Sequence, residues 1–212
     1  NEQLFLDSLY NLNQAEIARG VDTYWLSEPL RTAITHKHNV YAEGGDDAVR
    51  YGLGFTYNGT DGVMKQSSLV GANFDLTYRK GNFLLNNKMS YDYYQQEDPI
   101  VSFSEFAKAN PYYRKDSNSG EIERYLVDMN TYNGQYTVEN PIYNANLNSF
   151  KKSDKSKFDN KLNAEYRILP ELVLRGRFAL GLSQTKSDDF TSPLDPSYDK
   201  VSFDKKGRYI SG

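Results

Sequence analysis

From about residue 37 the chain alternates apolar and polar residues with a period of two. In 49–58 one face reads Val49, Tyr51, Leu53, Phe55, Tyr57 and the other Arg50, Gly52, Gly54, Thr56, Asn58. In 70–79 the apolar set is Val70, Ala72, Phe74, Leu76, Tyr78. The pattern returns with Phe83, Leu85, Asn87, Met89, Tyr91, Tyr93, then with Phe158, Asn160, Leu162, Ala164, Tyr166, and again with Leu172, Leu174, Gly176, Phe178, Leu180, Leu182. A shorter run covers 38–43. Period two specifies strands with one apolar face. Before residue 36, Leu4, Phe5, Leu9, Leu12 and Ala15 fall near helical spacing, Gly20 ends the pattern, and Ser27-Glu28-Pro29 reads as a second helix start. The expected organisation is therefore 1–36 as a loop with short helices and 37–212 as strands, interrupted by a long loop over about 95–156.

Five of these strands run to about ten residues or more. Soluble strands are usually ~5–6 residues, whereas a strand crossing an outer membrane needs ~9–11. The polar faces carry Arg, Lys, Asp, Glu and Asn in mid-strand, as the wall of a wet lumen or the water-facing side of a soluble sandwich would. Apolar faces end in Tyr57, Tyr78, Tyr93 and Tyr166. These fit an aromatic girdle at a membrane interface, or the general preference of tyrosine for strands. Connections alternate between short (44–47, 80–81, 169–171) and long (58–68, about 95–157, and everything after Ser183). Segregated short turns and long loops are how outer-membrane barrels are built. Six strands fall short of closing a barrel, and 207–212 could begin a seventh. The chain, which starts at Asn1, is thus expected to be an internal segment of a larger barrel.

Composition narrows the classes. Hydrophobic residues make up 38% of the 212, even with 18 Tyr counted, and mean hydropathy is -0.74. No run is long and apolar enough for a spanning helix. Aromatics at 14% exclude ordinary disorder. A net charge of -3 offers no basic excess for a phosphate backbone, so nucleic acid is not an expected partner. With no cysteine there is no disulfide, thiolate site or Cys nucleophile.

The long loop carries Phe103, Phe106, Tyr112, Tyr113, Tyr125, Tyr132, Tyr136 and Tyr143 among many Asn and Ser. Such rings make contact surfaces for sugars or peptides, or fold the loop onto itself. Tyr112, Tyr113 and Arg114 are the best candidates for substrate contact, because rings beside a guanidinium suit either substrate. The Asn-rich stretch 140–148 reads as turn chemistry or as hydrogen-bonding groups for a polar ligand. Gly52 and Gly54 would leave room on the polar face for a ligand, a plug or a neighbouring backbone.

His36 and His38 share a strand face without a third metal ligand nearby. Asp188, Asp189, Asp195, Asp199 and Asp204 could hold Ca²⁺ in an outer loop or form a solvated acidic segment; no cofactor is expected. Nucleophile-elbow, Walker and dinucleotide motifs are absent, and Glu105, Asp116, Glu121 and Glu123 show no paired-carboxylate spacing, so an enzyme is not expected.

The ordered set Gly20-Val21-Asp22-Thr23-Tyr24-Trp25-Leu26, His38-Asn39-Val40-Tyr41-Ala42-Glu43-Gly44-Gly45-Asp46, Arg50-Tyr51-Gly52, Gly62-Val63-Met64-Lys65, Ala109-Asn110-Pro111-Tyr112-Tyr113-Arg114, Asn140-Pro141-Ile142-Tyr143-Asn144-Ala145 and Leu174-Arg175-Gly176-Arg177 resembles SusC/RagA-type TonB-linked outer-membrane proteins of Bacteroidetes. The resemblance implies an all-β fold: a partial antiparallel transmembrane β-barrel, part of a 22-stranded TonB-dependent transporter with long extracellular loops. It implies a nutrient importer of the bacterial outer membrane that takes up oligosaccharides or peptides. Its partners would be a SusD-like surface lipoprotein, TonB acting through parts not present here, and membrane lipid. No plug, TonB box or C-terminal barrel strands are recognisable. The competing reading is a soluble all-β carbohydrate-binding module.

Overall fold

In the computed structural model, which describes residues 2–117, 119–131 and 134–212, the period-two stretches form a mostly antiparallel seven-stranded sheet. Its strands are β1 (Ile34–Gly45), β2 (Val49–Asp61), β3 (Gln66–Lys80), β4 (Phe83–Asp98), β7 (Phe150–Leu169), β8 (Leu172–Thr191) and β9 (Arg208–Ser211), adjacent in that order. A separate hairpin pairs β5 (Tyr125–Thr131) with β6 (Gly134–Glu139). Among the described residues there are also three α-helices, α1 (Glu2–Ala18), α2 (Phe103–Lys108) and α3 (Pro141–Ala145), and three 3₁₀ turns. The large sheet is open, with β1 and β9 at its edges. None of these helices is long and apolar enough to cross a membrane.

The strands exceed their expected lengths. The run at 38–43 extends to all of β1, and the stretch at 207–212 contains β9. β2 and β3 continue through polar residues until only 62–65 separates them, so the expected 58–68 loop is a tight hairpin turn. The long loop narrows from about 95–156 to 99–149 for the same reason: Gln95–Asp98 and Phe150–Lys157 are strand despite their polarity. β8 likewise runs past Ser183 and takes in Asp188 and Asp189. Connections at one end of the sheet are 46–48, 81–82 and 170–171, and at the other 62–65, 99–149 and 192–207. One end of the sheet thus carries only short turns, while the other carries both long connections and one four-residue turn, so the expected segregation holds for two of the three long connections.

Two compact units are woven from interleaved stretches: one from 1–31, 99–151 and 189–210, the other from 32–98, 152–188 and 211–212. The first owns the buried apolar core, made of Trp25, Val101, Phe106, Tyr113 and Val127. α1 turns Phe5, Leu9, Leu12 and Glu16 inward, one helical face by spacing. It stops at Gly20, whose positive φ of 79° lets the Val21 amide reach back to the Glu16 carbonyl at 3.0 Å. At the start of α2 the Ser102 amide donates to Glu105 Oε2 at 3.1 Å. Tyr132, one of the loop aromatics, lies outside the described residues.

The second unit is the sheet, and no large apolar side chain in it is buried among the described residues. Register across four strands explains why. Val40, Phe55, Ala72 and Tyr91 share one rung and one face, as do Ala42, Leu53, Phe74 and Met89. On the opposite face the rungs read Asn39, Thr56, Gly71, Asp92 and Glu43, Gly52, Asp75, Lys88. Asn87 and Asn160 exchange side-chain hydrogen bonds at 3.2 and 3.4 Å, which carries the first face onto β7. This face is an uncovered apolar stripe: Val40 is 68% exposed, Phe55 52%, Leu174 63% and Phe178 58%.

Candidate functional site

The Tyr112–Arg114 segment follows α2 and is clamped by the chain before the first 3₁₀ turn (Trp25–Ser27). The Thr23 amide donates to the Pro111 carbonyl at 2.8 Å, the Thr23 hydroxyl to the Tyr113 carbonyl at 2.8 Å, and the Trp25 indole Nε1 to the Asn110 carbonyl at 2.9 Å. Asn110 Oδ1 accepts from the Tyr112 amide at 3.0 Å, an Asx turn that fixes the bend.

Three consecutive side chains thereby enter three environments. Tyr113 is 9% exposed and packs in the core. Burial pushes its phenol above the ordinary tyrosine range, since the phenolate would lose its water. Arg114 Nε pairs with Glu16 Oε2 at 3.0 Å, and Arg19 pairs with the other oxygen of the same carboxylate. Glu16, 6% exposed, is thus held between two guanidinium groups. Tyr112 remains 39% exposed. All three residues line one cavity of about 150 Å³, together with Glu16, Tyr125 and Asn140. That volume accommodates a ring-sized group.

Asn140 is 1% exposed and ties the unit together. Its Nδ2 donates to the Glu123 carbonyl at 2.9 Å and the Lys115 carbonyl at 3.3 Å; its Oδ1 caps α3 by accepting from the Ile142 amide at 3.0 Å. Of the two roles open to the Asn-rich stretch, this residue takes the turn-and-cap role. A group that sequence reasoning missed is joined to it through the backbone, where the Asn140 amide donates to the Arg124 carbonyl at 3.0 Å. Arg124 forms an ion pair with Asp199 and donates to the Asp195 carbonyl at 3.0 Å, while the Tyr125 hydroxyl also donates to Asp199. Asp195 itself caps the 3₁₀ turn Pro196–Tyr198 through the Ser197 amide at 2.9 Å. Arg124 and Asp199 are far apart in sequence, and no local pattern links them. Among the described residues no three acidic or histidine side chains gather as metal ligands.

On the sheet's polar face, Gly52 and Gly54 are not open space. A Cβ on Gly52 would lie 2.1 Å from the Tyr41 hydroxyl, and one on Gly54 would lie 2.2 Å from Asn73 Oδ1. Neighbouring side chains, rather than a ligand or backbone, take the room expected there. The same face carries Lys88 opposite Asp75 at 3.7 Å and Arg175 on Glu165 at 2.9 Å. His36 and His38 have ring centroids 5.4 Å apart, both beside Tyr57.

Among solved structures the chain is similar to the RagAB peptide importer in its "closed-closed" state, with a TM-score of 0.66 and 14% identity. Its fold resembles part of a peptide importer. The match covers 82% of this chain and 20% of that chain, so this chain spans about a fifth of the solved relative's length. At this identity the likeness is one of fold. No protein-family model matches the sequence, and no curated protein matches it.

Proposed function

We propose that the chain forms part of the wall of a bacterial outer-membrane β-barrel, in a TonB-driven importer of oligosaccharides or peptides that works with a SusD-like surface lipoprotein. One observation carries the reading: the exposed apolar stripe that runs across β1–β4 and reappears on β8, backed by a charged and amidated face. Lipid on one side and a wet lumen on the other satisfy both faces. The stripe also has the right height. From the Val49–Tyr78 rung to the Tyr57–Val70 rung is about 27 Å along the strand at ~3.4 Å per residue. Tilted by ~35–45°, this becomes roughly 20 Å, close to the ~25 Å apolar band of such barrels. Tyrosines lie at both limits, Tyr51 and Tyr78 at one and Tyr57 and Tyr93 at the other.

A full barrel of 22 strands, extracellular placement of 99–149, and the absence of enzymatic activity belong to this proposal. Within it Tyr112, the exposed ring of the triplet, is the side chain offered to substrate or lipoprotein, while Tyr113 and Arg114 hold the segment in shape. A soluble carbohydrate-binding module would leave the stripe in water, an aggregation hazard.

Fractionating cells that make the full-length protein tests the reading. Recovery with outer membranes, with faster gel migration unheated than boiled, is expected. Recovery in the aqueous fraction overturns it.

A further inference from the structure

We propose that the apolar face carries, at the end with the long connections, a docking trough for the saccharide headgroup of a membrane glycolipid. The inference rests on the outer-membrane reading above. The trough holds about 380 Å³. Its floor is Gly59 and Ser68, opposite each other on β2 and β3, and it is low because neither raises a large side chain. A Cβ on Gly59 would lie 2.7 Å from the His36 ring and 3.2 Å from the Tyr57 hydroxyl, so these two rings form one bank. The other bank is Gln95 and Glu97 of β4 with Lys152 and Asp154 of β7. Gln95 Nε2 bridges Tyr93 Oη at 3.1 Å and Asp154 Oδ1 at 3.4 Å, which orients this side.

Two features identify the ligand. The first is chemistry. An aromatic bank facing amides and carboxylates suits a hydroxyl-rich ring: the sugar's C–H face lies on Tyr57, and its hydroxyls donate to Asp154 and Glu97. Asp61, Glu97 and Asp154 outnumber Lys152 around the trough, which disfavours an anionic group such as a lone phosphate. The second is continuity. One rung further along the same face lie Tyr57, Val70 and Tyr93, followed by Phe55, Ala72 and Tyr91 on the exposed stripe. A molecule with its sugar in the trough would lay its acyl chains on that stripe, so the occupant is an amphiphile rather than a free glycan.

The full-length protein, extracted from outer membranes in detergent, is assayed for tightly bound glycolipid by native mass spectrometry. It is then delipidated and titrated with an uncharged diacyl glycolipid in detergent and, separately, with the water-soluble saccharide released from it by deacylation. Wild type is expected to retain glycolipid and to bind the uncharged glycolipid. Tyr57→Ala and Gln95→Ala are expected to weaken binding about tenfold, and Asn39→Ala on the opposite face to leave it unchanged. Gln95 is exposed, and heat-modifiable migration certifies each variant as folded. Equal retention by folded Tyr57→Ala and Gln95→Ala overturns the trough while leaving the barrel reading intact. Binding of the released saccharide as tightly as the glycolipid overturns the amphiphile. A protein found in the aqueous fraction overturns the barrel reading itself.

Discussion

Asn140 shows how much one polar side chain can hold. Its amide satisfies two buried carbonyls and its oxygen caps a helix, so alanine removes a cap and strands two acceptors. Asn140→Ala should destabilise the 99–149 unit by about 2–4 kcal/mol, seen as faster proteolysis within that loop. Asn140→Asp should do no better, because it keeps the cap but turns a carboxylate onto the two carbonyls; wild-type resistance in either variant would contradict the assignment. Asp46 gives a pH-dependent case in the 46–48 turn. Its Oδ1 accepts from the Ala48 and Val49 amides, both at 2.8 Å, and the Val49 and then the Ala48 hydrogen bond lower its pKa from 3.8. A depressed carboxylate contributes stability above its unfolded value and loses it as pH falls through the folded value. The Ala48 and Val49 amide resonances should therefore titrate with a midpoint below 3.8, and a midpoint at or above it would exclude the turn as drawn.

At the scale of elements, the sheet's polar face is built by pairing rings and amides with glycines across strands. Tyr41 lies over Gly52, so Gly52→Ala must push that ring aside. We expect Gly52→Ala to cost up to about 1 kcal/mol, because the exposed Tyr41 ring must swing aside, and Tyr41→Ala to relieve most of it. Midpoints of heat-induced gel shift for the two single variants and the double variant measure this coupling; additive effects would remove Tyr41 from the account. The same sheet shows what the sequence could convey. Strands such as β2, β3 and β8 were legible in their centres because period two is a local signal. Their ends were not, since residues like Gln95–Asp98 and Lys155–Lys157 look like loop until a neighbouring strand supplies the hydrogen bonds. The loop unit was least legible. Its core joins Trp25, Phe106 and Val127 from distant stretches, and its ion pair joins Arg124 to Asp199. Residue chemistry alone marks the Tyr112–Arg114 triplet. Backbone clamping by Thr23 and Trp25, which no periodicity encodes, decides that Tyr113 turns inward and Tyr112 outward.

At the scale of the whole molecule, what covers the apolar stripe decides where the chain resides. Val40 and Asn39 are adjacent on β1, both exposed, and point to opposite faces. In a water-soluble sheet an arginine at either position meets the same solvent, and each change should fall within ~0.5 kcal/mol. In a barrel wall the two differ sharply. An arginine on the lipid face costs of order 2–4 kcal/mol near mid-membrane, while a lumen-facing one meets water and charge. Val40→Arg should therefore reduce the heat-modifiable, membrane-assembled full-length protein, and Asn39→Arg should not. Both variants add the same charge one residue apart, so net charge cancels, and the difference in strand propensity between losing Val and losing Asn stays within ~1 kcal/mol, below the lipid-face cost. Equal assembly of the two would mean that both faces see the same medium, which excludes lipid on the stripe.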